Sequence, residues 1–237
     1  MRDGAPASGQ PDVLEAARGE ADRGEADRGE PDPGEDDRGE AEPLGYRPGV
    51  GLIVVDMQVD FGDPAGGLYV DGGEQTIDVV NAHIDAANAA GSPVFYTQDW
   101  HPADTPHFAK DGGIWPVHCV AGTPGAELLP GLRVAGPVVR KGVDGADGYS
   151  GFSVRDPRTG QTSATELGHM LTEVGCHEVV VVGLAGDYCV KETALDAVRL
   201  GFPTVVPLSA TRFVNLNAGD DERAVAEMER AGIQVRR

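Results

Sequence analysis

Apolar residues in this chain fall into short unbroken runs and into longer stretches where they recur at every third or fourth place. The runs predict strands: Val50 with 52–55, then 93–99, the stretch GPVVRKG (136–142), Val179 to Val182 with Leu184, PTVVPLSA (203–210) and the closing IQV (233–235). The longer stretches predict helices. Ile77, Val80, Ile84 and Ala87 share one face of a helix that ends near Gly91, with His83 on its polar side as a surface histidine. Leu167, Met170, Leu171 and Val174 mark a second helix. Ala194, Leu195, Ala197, Val198 and Leu200 mark a third, with Asp187 as its N-cap and Gly201 closing it. Ala224, Val225 and Met228 face inward from a fourth helix over 220–232. Strands this continuously apolar have no polar face to give to water. They belong in a parallel sheet with helices above and below, so the fold class is α/β.

The pattern fails ahead of Gly49. Residues 18–42 are five copies of a pentapeptide, RGEAD, RGEAD, RGEPD, PGEDD and RGEAE, none with a large apolar side chain. Such a segment buries too little to offset its ordering entropy, so 1–48 is expected to be a disordered, acidic, low-complexity tail and 49–237 a single folded domain. The tail carries 14 acidic against 6 basic residues, and so −8 of the formal net charge of −20. That charge, with no basic stripe, argues against nucleic acid as a partner. No run approaches the roughly 18 apolar residues of a membrane span, and the N-terminus is acidic where a secretory signal is basic and then apolar. The expected setting is cytoplasmic, with no membrane partner. A homo-oligomer is left open. Three cysteines, Cys119, Cys176 and Cys189, do not make a disulfide framework, so thiol chemistry or metal binding must be weighed.

Cys189 lies where a buried strand turns into a helix. Exposed N–H groups and the helix dipole there favour a thiolate, lowering a cysteine pKa from about 8.5 toward roughly 3.5 to 7.5, and the same N–H groups can hold an oxyanion. Against this stands the fact that a free cysteine is often only a small buried hydrophobe. Asp56 directly follows the first strand, Asp99 ends the second and Lys141 ends the third. In open parallel sheets ligands sit at the carboxyl ends of strands. An Asp, a Lys and a Cys meeting there make a nucleophile apparatus, with a base for the thiol proton and a cation for the charges. Asp60 reads as a cap for the turn after Asp56. Asp99, His101, His107 and His118 gather a carboxylate and three imidazoles within twenty residues, donors suited to Zn, Mn or Fe, though their spacing matches no short zinc signature. Cys119 is a rival ligand or a core thiol. His169 and His177 have no such company.

Five motifs, VDMQVDF around Asp56, the DWH...H...WPVHC run, KG at Lys141, GYSGF after it and GLAGDYCV at Cys189, resemble in order and spacing the cysteine hydrolases of the isochorismatase-like superfamily, and among them the nicotinamidases. The resemblance covers 49–237 and implies a three-layer α/β/α fold with a mostly parallel central sheet. It implies a catalytic triad of Asp56, Lys141 and Cys189, and one divalent transition metal ion surrounded by Asp99, His101, His107 and His118. It also implies a cis peptide between Leu184 and Ala185, with the N–H groups of Ala185 and Cys189 facing an oxyanion. Phe61, Trp115, Tyr149 and Leu184 are expected to contact a small-molecule substrate. The implied activity is hydrolysis of nicotinamide to nicotinate and ammonia through a thioester, as in NAD salvage. One departure is Gly186, where a side chain is common. Two rivals remain: an amide hydrolase of the same superfamily acting on carbamoyl or ureido groups, and a non-catalytic thiol-sensing module.

Overall fold

The computed structural model describes residues 45–237. The expected acidic tail therefore lies outside the described residues from 1 to 44. Nine strands are seen among those described: β1 (Val50–Val55), β2 (Val94–Asp99), β3 (Val138–Lys141), β4 (Ser153–Arg155), β5 (Thr162–Ala164), β6 (Glu178–Leu184), β7 (Thr204–Pro207), β8 (Thr211–Arg212) and β9 (Gln234–Arg236). The main sheet runs β3-β2-β1-β6-β7-β9, with β8 added beside β6, and its pairings are parallel.

Alternation along β1 shows why the run had to be apolar throughout. Val50, Leu52 and Val54 pack on one face with α2 (Ile77–Ala89), while Ile53 and Val55 pack on the other with α3 (Leu167–Glu173), α4 (Cys189–Arg199) and α5 (Asp220–Arg230). A short helical turn, α1 (Val59–Gly62), precedes α2 in the chain. The result is the expected three-layer α/β/α arrangement. From β1 the chain steps outward to β2 and β3, and from β6 it steps the other way to β7 and β9. The order thus reverses between β1 and β6, and the crevice beyond their carboxyl ends is the switch point where such sheets take ligands.

Several local expectations are corrected. Val174 is 55% exposed, because α3 ends one residue earlier. The strand expected over 203–210 stops at Pro207, and a 3-10 turn (Leu208–Ala210) leads into β8. Strands β4 and β5, which no apolar run announced, pair as a separate antiparallel hairpin, being short, polar and largely exposed. His83 is half-buried rather than a surface group, hydrogen-bonded through Nδ1 to Tyr46 Oη at 2.9 Å, and burial holds its pKa below the ordinary value.

Tyr46 is one of several contacts made ahead of Gly49. Arg47 donates to Glu178 Oε2 at 2.6 Å, and Ser92 Oγ donates to the Arg47 carbonyl at 2.8 Å. Deleting 1–44 is therefore expected to leave the melting temperature unchanged. Deleting 1–47 removes these contacts and is expected to lower it by a few degrees, about 1–2 kcal/mol. Thermal melts of both truncations check this; equal melts would mean that Tyr46 and Arg47 contribute nothing.

Candidate active site

Four strand ends deliver the site. Asp56 leaves β1 with φ +45°, a conformation unusual for a residue with a Cβ, and its amide is within 3.2 Å of both the carbonyl and the hydroxyl oxygens of Thr97. The Thr97 hydroxyl donates to Asp56 Oδ1 at 2.7 Å. On its other oxygen, Asp56 faces Lys141 Nζ at 2.9 Å. The same ammonium contacts Asp99 Oδ1 and lies 3.6 Å from Cys189 Sγ. Asp56 is 0% exposed and Lys141 1%, so one cation is shared among two carboxylates and a thiol out of water.

Burial raises the Asp56 carboxyl above its usual range, with Lys141 opposing and Asp99 adding to the rise. Burial also works to raise Asp99, but its neighbours, Lys141 foremost, outweigh it and hold Asp99 ionised. For Lys141, burial would lower the pKa, yet its two carboxylates carry it well above the ordinary value. The thiol departs from expectation. Burial, reinforced by Asp56 and Asp99, pushes Cys189 well up, against the pull of Lys141, so position at a helix start does not leave a standing thiolate. Asp187 is not the N-cap of α4 either; Tyr188 holds that place, with no side-chain cap. The Asp187 carboxylate instead accepts from the amides of Val214 and Asn215 at 3.0 and 2.9 Å, tethering the loop after β8 to the nucleophile turn.

Tight approach of β1 to β6 governs this turn. Gly183 has φ +113°, and a Cβ there would meet the Val55 carbonyl oxygen at 2.2 Å, so only glycine lets β6 pass β1 on the way to Cys189. The Leu184–Ala185 peptide is cis, as the resemblance implied. At Gly186 a Cβ would lie 2.5 Å from the Phe213 ring, which fills the space another side chain would need.

Next to this set, His101, His107 and His118 present ligand atoms within 4.8 Å of one another. His118 Nδ1–H donates to the Pro116 carbonyl at 2.7 Å, and His107 Nδ1–H to Asp147 Oδ1 at 2.7 Å, which leaves the Nε2 lone pair of each free. Both ring nitrogens of His101 are buried without a hydrogen-bond partner. Burial lowers the His118 pKa to about 4, keeping it a neutral donor at ordinary pH. Three converging imidazoles, one with both ring nitrogens buried and unpartnered, fit a transition metal ion. Asp99 sits between the two groups, with Oδ2 3.7 Å from His101 Nε2, while a carboxylate oxygen of it lies within 4.8 Å of a carboxylate oxygen of Asp56 and of Cys189 Sγ.

Cys189 opens into a cleft with mainly apolar walls, which include Phe61, Trp115 and Tyr149. Leu184 is not a wall. With Val180 and Val182 it points to the α2 side of the sheet and is fully buried in that core. Leu68, Val70, Tyr188 and Val214 line the cleft without having been anticipated. Tyr188 was within reach, since it adjoins Cys189, and its ring meets Trp115 edge-on at 4.9 Å. Trp115 Nε1 donates to Tyr149 Oη at 3.0 Å, fixing both rings. Thr97 and Asp147 carried no sequence signal, because their partners are 41 and 40 residues away. Asp60 does not cap its own turn. It accepts from the amides of Gly67 at 2.9 Å and Cys119 at 2.6 Å, joining two loops behind Phe61 and His118. Cys119 is buried at that junction, and Cys176 lies before β6, at the amino end of the sheet.

Comparison with known proteins agrees with this fold. The isochorismatase domain model matches residues 50–237. The chain is 37% identical to the nicotinamidase of Escherichia coli (strain K12), over 76% of this chain and 91% of that one. A crystal structure of the pyrazinamidase of Pyrococcus horikoshii in complex with zinc superposes with a TM-score of 0.71 at 37% identity, covering 79% of this chain and 98% of the other. A structure from L. infantum in complex with nicotinate gives a TM-score of 0.71 at 38% identity, covering 79% and 92%.

Proposed function

The chain belongs to the isochorismatase family, and from that premise we propose that it is a nicotinamidase, hydrolysing the carboxamide of nicotinamide to nicotinate and ammonia as a step of NAD salvage. The observation that carries this reading is the placement of Cys189 Sγ 3.6 Å from Lys141 Nζ, at the floor of an aromatic-walled cleft that also opens onto His107 and His118. Asp56, Lys141 and Cys189 are the proposed catalytic residues. Asp56 takes the thiol proton as Sγ attacks the amide carbon; its raised carboxyl makes it a stronger base than an exposed aspartate. Because the thiol is itself held protonated, deprotonation and attack belong to one event rather than to a resting thiolate.

The oxyanion that forms is met by the N–H groups of Ala185 and Cys189; as the first residue of α4, Cys189 has no intrahelical acceptor for its own. Asp56 returns the proton to the departing ammonia, then activates the water that releases the acid from the thioester. Lys141 keeps two carboxylates and a developing thiolate from repelling one another. Phe61, Trp115 and Tyr149 hold the ring, with Tyr188 behind Trp115. His101, His107 and His118, with Asp99 beside them, would hold a divalent Zn, Mn or Fe ion. When bound, that ion supplies a Lewis-acidic point able to take a ring-nitrogen lone pair. Among the described residues no helix is long and apolar enough to cross a membrane; the proposed setting is cytoplasmic and the proposed partner a small molecule.

The test is ammonia release by the purified chain from nicotinamide and from an N-carbamoyl amino acid, before and after chelation. Nicotinamide should be the substrate and chelation should slow its turnover. A preference for the carbamoyl compound, unaffected by chelation, would overturn the proposal.

A further inference from the structure

His107 differs from its two neighbours in having a carboxylate behind it. Asp147 Oδ1 accepts the His107 Nδ1 proton at 2.7 Å and also accepts the Gly148 amide at 2.8 Å, so the carboxylate is fixed from two sides. Its backbone is fixed as well. Asp147 and Arg155 exchange both amide hydrogen bonds, at 2.6 and 2.5 Å, which attaches Asp147 to the first strand of the β4–β5 hairpin. That hairpin is tied in turn to the nucleophile helix, since Ser153 Oγ donates to Asp196 Oδ2 on α4 at 2.8 Å. The hairpin thus gives a continuous path from α4 to one imidazole of the cluster.

We propose that Asp147 is a positioning residue that makes His107 a metal ligand: by accepting the Nδ1 proton it fixes the ring's tautomer and orientation, and so turns the Nε2 lone pair into the space shared with His101 and His118. The inference rests on the reading that these three imidazoles hold a metal ion. It goes beyond that reading in assigning the third ligand's orientation to a loop residue and the hairpin behind it. A carboxylate on the far nitrogen of a ligating imidazole typically contributes 10- to 100-fold in metal affinity, by fixing the ring and raising its basicity.

The experiment measures Zn(II) affinity by competition with a chromophoric chelator, and the visible spectrum of the Co(II)-loaded protein, for the parent chain, D147A, D147N, H107A and the double variant D147A/H107A. Melting temperatures of the metal-free proteins run alongside. D147A should bind Zn(II) about 10- to 100-fold more weakly and shift the Co(II) spectrum toward that of H107A. D147N, which keeps an acceptor oxygen but not the charge, should fall between parent and D147A. The double variant should bind no more weakly than H107A alone, because Asp147 acts through that ring. Parent-like affinity and spectrum in D147A would overturn the proposal, as would a D147A loss that persists undiminished in the H107A background. If the parent chain binds neither metal, the cluster is not a metal site and the proposal falls with it. Metal binding that responds to H107A but not to D147A would remove Asp147's role alone.

Discussion

Replacing Cys189 by alanine is expected to abolish nicotinamide turnover, a loss of at least about 10⁴-fold in kcat, while metal content and the melting temperature stay near those of the parent. The size follows from the chemistry: with no thiol there is no covalent intermediate, and nucleophiles embedded in such assemblies typically account for losses of this order. Near-normal stability follows from the setting. Cys189 is a small side chain where the core meets the cleft floor, its thiol lies between Lys141 and two carboxylates, and alanine removes a single atom there. Cys176→Ala provides the contrast. That thiol packs with Leu171 and Val179 at the amino ends of the strands, so its removal costs some stability and leaves turnover intact. Steady-state ammonia release and thermal melts on both variants check the pair. Substantial activity in Cys189→Ala would contradict the assignment.

Lys141→Met is expected to damage both turnover and folding. The parent residue is fully buried and is the shared cation of Asp56 and Asp99. Methionine fills a similar volume but leaves two carboxylates buried without their counter-charge, and breaking buried pairs in this way costs about 3–5 kcal/mol. The sign of the pH dependence follows. Without Lys141, Asp56 loses the interaction that opposes its rise, and burial holds its carboxyl further above the unfolded value. A group raised in the folded state binds protons more readily there. The deficit of Lys141→Met should therefore be largest at neutral and alkaline pH and shrink as pH falls through the raised carboxyl pKa. Denaturant midpoints of parent and variant at pH 5 and pH 8 give the comparison. Equal midpoints at pH 8 would mean that the ammonium is not what holds the carboxylates.

What the sequence disclosed was the set of residues whose position depends on a single element. Asp56, Asp99 and Lys141 each end an apolar run and Cys189 opens the helix after another, so a parallel sheet had to bring all four to one edge. Positions that depend on two elements were misread. Leu184 was expected in the cleft with the substrate contacts of the resemblance, but strand parity sends it to the opposite core with Val180 and Val182. Asp187 stands where a cap belongs, yet the loop after β8, invisible in the sequence pattern, supplies two amides that take its carboxylate instead. The expected low thiol pKa considered only the helix dipole and not the depth of burial or the flanking carboxylates, and those outweigh it. Thr97 and Asp147 escaped for the same reason, since each acts on a partner in a different segment. The β4–β5 hairpin had no apolar alternation to announce it.

All of this converges on one covalent event at one sulfur. Acid-quenching the purified chain during steady-state turnover of nicotinamide and mapping its peptides by mass spectrometry tests that event directly. The account predicts the mass gain of a single nicotinoyl group on the peptide holding Cys189, absent in Cys189→Ala. A nicotinoyl group on Cys119 or Cys176, with Cys189 unmodified, would contradict it.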